Sequence, residues 1–167
     1  MANVPVNFST LKAKHPAPNQ ILALIGGALK ESAVKGKWET CTIQVSYALN
    51  RSGAVIENYA FEDKSLATGK VRAAKSNDDM SYIFAVPDMR VYLNNRYGLA
   101  ENFKGSKQQM IAGISGRQGI IAFGHRHIDL WEGDRFHWQA RYVDLWGFES
   151  VKMRGIFFWE VTSSLGF

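Results

Sequence analysis

The chain has 167 residues, enough for one hydrophobic core and short of the roughly 250 at which chains tend to divide. Hydrophobic residues make up 46% and charged residues 21%, with five Trp, six Tyr and ten Phe, a composition that excludes a disordered chain. A single cysteine excludes an internal disulfide and a thiolate-rich zinc site, and the net charge of +5 favours an acidic partner such as nucleic acid, an anionic lipid surface or the carboxylate-rich bacterial wall.

Residues 1–18 carry Lys12 and Lys14 but no apolar block followed by small residues, so they do not read as a signal peptide. Pro16 and Pro18 close what is expected to be an irregular, polar arm containing His15. Asn19 then caps a helix expected from Gln20 to Lys30, with Ile21, Leu24, Ile25, Ala28 and Leu29 on its apolar face. The Gly26-Gly27 pair weakens that helix by about 1 kcal/mol per glycine relative to Ala. This longest apolar stretch falls short of the roughly 20 residues needed to cross a bilayer, so no membrane span is expected.

A second helix is expected from Cys41 to Leu49, where Val45, Ala48 and Leu49 recur at helical spacing before the turn Asn50-Arg51-Ser52-Gly53. Gly, Ser, Lys and Asn gather from Lys64 to Asp79, which reads as a long loop. A third helix runs from Pro87 to Tyr97, with Gly98 as its stop. The second half changes to β-rich segments, Gly119–Phe123, His125–Trp131, Phe136–Leu145 and Gly155–Val161, read as antiparallel strands. Helices first and a meandering sheet afterwards is the pattern of an α+β fold.

Cys41 stands where a helical pattern begins, and there unpaired N–H groups and the helix dipole stabilise both a thiolate and a developing oxyanion. The bland reading is a small buried hydrophobe. A cysteine nucleophile needs a base that takes its proton and returns it to the leaving amine, which suits histidine. His125 and His127 lie two apart and share a face if both are on a strand, Asp129 continues that face, and Glu132-Gly133-Asp134 reads as the following hairpin turn. If the turn centres on Glu132 and Gly133, Trp138 lies opposite His127; one more loop residue places Gln139 there. For the group that orients the imidazole, Gln139 ranks first, then Asp129, then His137.

These features together resemble the type VI secretion amidase effector 4 family, peptidoglycan amidases of the papain-like NlpC/P60 class. The residues carrying the resemblance are His15-Pro16 with Ile25-Gly26-Gly27, the run Thr40 to Asn50 around Cys41, Gly119 to Phe123, His127-Ile128-Asp129-Leu130-Trp131-Glu132-Gly133, and Phe157 to Val161. The spacing of histidine, Leu-Trp and Gly in the fourth of these selects His127 over His125. The resemblance implies a single amidase domain over 1–167 with a papain-like NlpC/P60 fold, N-terminal helices on a C-terminal antiparallel sheet. It further implies Cys41 as nucleophile and His127 as general base and then acid, with no metal or cofactor. The implied bond lies between D-glutamate and diaminopimelate in the stem peptide. Such proteins are made in the cytoplasm, exported by the type VI secretion machinery without a signal peptide, act as toxins in the target cell's periplasm, and are blocked by a cognate immunity protein. Neither nucleic acid nor membrane is an implied partner. Three departures stand out: Trp138 occupies the position of a family aspartate, the companion cysteines are absent, and Gly124-His125-Arg126 replaces a longer family segment. The alternative reading is a non-catalytic basic module that binds cell wall or nucleic acid through its charge and aromatic residues.

Overall fold

The computed structural model describes residues 2–57, 62–138 and 144–162. The chain opens with strand β1 (Asn3–Val4) and helix α1 (Phe8–Ala13), the latter capped by Asn7, whose side chain accepts the Thr10 N–H at 3.1 Å. The N-terminal arm is therefore not irregular throughout. Six residues give too few turns for a helical period to appear in the sequence, and β1 exists because it pairs with a strand at the far end of the chain.

The helix expected from Gln20 to Lys30 is two helices, α2 (Ile21–Ile25) and α3 (Gly27–Gly36). The break lies at Gly26 (φ 55°) and Gly27 (φ 62°), left-handed backbone that a residue with Cβ adopts only with strain. Asn77 closes over this break, so that a Cβ at Gly27 would come within 2.2 Å of its side-chain oxygen. The residue preceding α2 is Gln20 and supplies no side-chain cap, contrary to the expected capping by Asn19.

Helix α4 (Cys41–Arg51) begins at the expected residue and extends two past Leu49. Within the expected loop, Ala73–Lys75 (β2) pairs antiparallel with Ser81–Ile83 (β3) as a separate two-stranded unit. Helix α5 (Val86–Tyr97) ends before Gly98 (φ 103°), as its Pro and Gly punctuation predicts. There follow β4 (Glu101–Phe103), α6 (Lys107–Ile114) with a Ser106/Gln109 capping box, β5 (Gly119–Phe123), β6 (His127–Trp131), a short 3-10 helix at Leu145–Gly147, α7 (Glu149–Arg154) and β7 (Ile156–Val161).

In the main sheet β7 lies between β5 on one side and, on the other, β4 along its first half and β1 along its last two residues; β6 is outermost beyond β5. Both faces of the sheet are covered. Ile120, Ala122, Ile128, Leu130 and Trp159 pack with Val45, Ala48 and Leu49 of α4 and Met89, Tyr92 and Leu93 of α5. Ile121, Phe123, Trp131, Ile156 and Phe158 pack with Met110 and Ile114 of α6 and with Leu145 and Val151. Two covered faces explain why Gly119–Phe123 is an unbroken apolar run rather than an alternating one.

The expected strand His125–Trp131 needs correction, as do both ends of Phe136–Leu145, whose residues 139–143 lie outside the described residues. Gly124, His125 and Arg126 form a turn, so the strand starts at His127 and His125 does not share its face. After β6 the chain reverses through the four residues Glu132–Arg135, with the Glu132 N–H donating to the Arg135 carbonyl at 2.8 Å and Phe136 bridging to Trp131. The turn is thus two residues longer than one centred on Glu132-Gly133, and Trp138 lies beside Asp129 rather than His127. Residues 145–147 are helical because the Asp144 carboxylate accepts the Trp146 N–H at 3.2 Å. No helix among the described residues is long and apolar enough to cross a membrane.

Candidate active site

Cys41 is the first residue of α4, and the helix that carries it is buried along most of its length, which fixes its start against β6 and β3. An α-helix leaves the N–H groups of its first turn without intrahelical partners. Here the preceding residue, Thr40, does not cap them; its hydroxyl donates instead to Gln44 Oε1 at 3.1 Å. Gln44 is fixed in turn, donating through Nε2 to the Pro16 carbonyl at 2.9 Å, which ties the N-terminal arm to the start of α4. The thiol of Cys41 is only 6% exposed and its Sγ lies 3.9 Å from Thr42 Oγ1.

His127, the first residue of β6, approaches this helix start from the outermost strand of the sheet, hydrogen-bonded to Asp129 and close enough to Cys41 for the cysteine to raise its pKa. Its Nε2 lies 3.3 Å from Asp129 Oδ2, which leaves Nδ1 as the nitrogen available to Cys41. Burial alone pulls the imidazole's pKa down, but the hydrogen bonds to Asp129 and Cys41 and the attraction of both groups outweigh it, leaving His127 raised to about 10. His127 therefore holds its proton at neutral pH.

Asp129 is 1% exposed and follows His127 on the same face of the strand. Its Oδ1 accepts the backbone N–H groups of Leu130 at 2.7 Å and Trp138 at 3.3 Å, leaving Oδ2 for the histidine. Burial pushes its carboxyl upward, opposed by the hydrogen bond from His127 and by those backbone donors. The four-residue turn after β6 makes this possible, because it brings the Trp138 N–H back onto Asp129.

A layer of rings lies behind the carboxylate. His15, 4% exposed, has Nδ1 3.9 Å from Asp129 Oδ1 and 2.8 Å from His137 Nδ1, and its carbonyl accepts the Trp138 indole N–H at 3.1 Å. Burial, then the neighbouring His137 and His127, hold His15 well below the usual histidine range. His137 is lowered mainly by burial, against the attraction of Asp129 and Glu132. Beyond these rings opens a cleft of about 690 Å³ lined by Lys12, Lys14, His15, Tyr47, His137 and Trp138 among others. Among the described residues no group of three or more His, Cys, Asp and Glu side chains is placed to hold a metal ion.

Of the residues expected from sequence, Cys41, His127 and Asp129 come together. His137 joins His15 instead of His127, and Gln139 lies outside the described residues. His125 is turned away onto Arg90, its Nδ1 2.9 Å from the guanidinium Nη1. His15, set aside with the N-terminal arm, belongs to the site's surroundings; its only sequence signal is the His15-Pro16 pair.

The model of the family described as type VI secretion system (T6SS), amidase effector protein 4 (Tae4) matches residues 38–159, a span that contains Cys41, His127 and Asp129. The structure of the effector Tae4 from Enterobacter cloacae is similar with a TM-score of 0.66 at 22% identity, over 97% of this chain and 100% of that one. Tae4 of the Tae4/Tai4 effector–immunity system from Salmonella typhimurium gives a TM-score of 0.67 at 20% identity, over 93% and 95% of the two chains. Tae4 in the Enterobacter cloacae Tae4–Tai4 complex gives 0.64 at 21%, with the same coverage of 93% and 95%. No curated protein matches the chain. At these identities the solved structures establish a shared mixed α+β fold. The family match covers most of the sequence, and the chain belongs to the type VI secretion amidase effector 4 family.

Proposed function

We propose that the chain acts as one amidase domain of papain-like NlpC/P60 type, hydrolysing the D-glutamyl–diaminopimelate amide bond of peptidoglycan stem peptides. The observation that carries this reading is His127 held between Cys41 and the buried carboxylate of Asp129. The thiolate is the nucleophilic form of cysteine, and His127 is the group placed to take the thiol's proton and hold it. The thiolate attacks the carbonyl carbon, and the oxyanion that forms is met by the uncapped N–H groups at the start of α4. His127 gives its proton to the leaving amine as the C–N bond breaks. Neutral His127 then takes a proton from water, which attacks the thioester and releases Cys41. Asp129 stabilises the imidazolium and fixes the ring so that Nδ1 faces the sulfur.

In this reading the protein is an antibacterial effector delivered by type VI secretion to the periplasm of a target cell and neutralised by a cognate immunity protein. Family membership supports the delivery route. The complexes of related effectors with Tai4 support an immunity protein as the partner.

The test is mass spectrometry of purified peptidoglycan digested by the protein and by folded Cys41→Ala and His127→Ala variants. New termini between glutamate and diaminopimelate, made only by the unaltered protein, are expected. Intact muropeptides from all three would sink the reading and leave the basic binding module to be tested by wall and nucleic-acid pull-down.

A further inference from the structure

Two residues before His127 the chain makes a turn crowded with positive charge. Arg90 of α5 donates through Nη1 to the Gly124 carbonyl at 3.3 Å and to His125 Nδ1 at 2.9 Å. For that second contact His125 must be neutral with its proton on Nε2, since a guanidinium only donates. Arg90 also stacks on Phe157, its central carbon 3.5 Å from the ring centroid. Arg154 closes α7 beside the same turn, where the Gly124 N–H donates to the Gly155 carbonyl at 3.1 Å.

Among the described residues no carboxylate answers these charges. Among the described residues neither Arg90, Arg126 nor Arg154 takes part in an ion pair, although Arg51, Arg72 and Arg117 all do. The Nε of Arg90 and the hydroxyl of Ser150, which lies against Gly124, are buried without hydrogen-bond partners. Burial and the neighbouring Arg154 hold Arg90 down at about 10, and burial with Arg90 and Arg154 holds His125 at about 4. A half-buried guanidinium whose Nε has no partner is a costly arrangement to leave uncompensated, and an anion bound there would lower that cost. The planar fork of Arg suits a carboxylate, which it binds through two parallel hydrogen bonds.

We propose that Arg90, Arg154 and His125 form a carboxylate-binding subsite at the entrance to β6, which holds a free carboxylate of the stem peptide while the scissile amide lies at Cys41. The subsite leads directly into His127, so a carboxylate gripped there fixes the substrate's register relative to the reacting pair. This assignment of the substrate rests on the peptidoglycan reading; the affinity for a carboxylate does not.

Two measurements separate them. In the first, the His125 ring is followed by NMR in the intact protein as acetate or neutral acetamide is added. Acetate alone is expected to move the signal, and the shift should disappear in Arg90→Gln and in Arg154→Gln, the latter an exposed position whose change leaves packing untouched. In the second, cleavage is compared on stem peptides whose diaminopimelate carboxylate is free or converted to the carboxamide. Arg154→Gln should raise KM about ten- to a hundredfold on the free acid at unchanged kcat, and leave the carboxamide nearly unaffected. Equal responses to acetate and acetamide, or equal losses on both peptides, overturn the subsite. Cleavage of stem peptides with no acetate response removes the subsite and keeps the amidase, whereas an acetate response without cleavage keeps the subsite and removes the peptidoglycan reading.

Discussion

His125 and His127 are separated by one residue and occupy opposite electrostatic worlds. His125 sits in a turn against Arg90, within reach of the charge of Arg154, and is lowered to about 4, whereas His127 sits on a strand beside Cys41 and Asp129 and is raised to about 10. Burial lowers both, so the difference comes from the charges that each ring meets. The turn at Gly124–Arg126 makes the separation possible, pointing one ring at α5 and letting the next enter the sheet. Two histidines in an unbroken strand would have shared one environment.

The largest effect should come from the His127 side. Cys41→Ala and His127→Ala are each expected to lower kcat by about 10⁴-fold or more with the fold retained, measured as amide hydrolysis alongside circular dichroism. Equivalent changes at His125 should leave kcat within about tenfold, and an equal loss at His125 would erase the distinction.

Asp129→Asn comes next, with a loss of about 10²–10⁴-fold, because the amide keeps the shape but not the charge that stabilises the imidazolium. Gln139→Ala is the matching control: should it lose turnover while Asp129→Asn does not, the orienting role passes to Gln139.

The two rings also predict opposite pH windows for stability, to be read from urea unfolding midpoints of His127→Ala and His125→Ala against the unaltered protein. His127 is raised above the usual 6.5, so its contribution is complete below 6.5 and is lost as pH climbs through about 10. His125 is lowered, so its neutral form contributes above 6.5 and that contribution is lost as pH falls through about 4. Catalysis should share only the alkaline limit of the first window, declining as His127 loses its proton.

The smallest comparison concerns packing. Leu130→Ala, in the fully buried part of β6, is expected to cost about 2–5 kcal/mol. Arg126→Ala, exposed in the turn with its guanidinium 5.0 Å from the Phe148 ring, should cost no more than about 1 kcal/mol in the same denaturant titration.

Much of the fold was legible where local signals and tertiary structure agree. Cys41 opens α4 because the apolar spacing of Val45, Ala48 and Leu49 is helical, and Pro87 and Gly98 bracket α5 closely. Gly119–Phe123 and the segment ending at Val161 read as strands because they are runs of Ile, Phe, Val and Trp. The split between α2 and α3 was present in the sequence only as a cost at Gly26-Gly27; the left-handed backbone of the pair and the Asn77 side chain packed over it, fifty residues on, show only in the fold. The Ser106/Gln109 capping box at the start of α6 is legible from the Ser-x-x-Gln spacing alone.

At the site, the sequence supplied the pair and ranked Asp129 as one of three possible orienting groups. Choosing among them required the length of the turn after β6, which a count of residues does not give. The turn holds four residues because the Glu132 N–H bonds to Arg135, and that register brings the Trp138 N–H, not a side chain facing His127, to Asp129. His15 was beyond reach for a similar reason. Its burial depends on Gln44 anchoring Pro16 and on Trp138 bonding its carbonyl, contacts that span 28 and 123 residues.

The most direct test of the account is NMR titration of the ring of His127 in the unaltered protein and in Cys41→Ala. A pKa near 10 that falls when the thiol is removed is expected for His127, while His125 stays near 4 in both. A His127 that titrates near the ordinary 6.5 in both proteins would contradict the coupling of Cys41 to His127 on which the proposed chemistry depends.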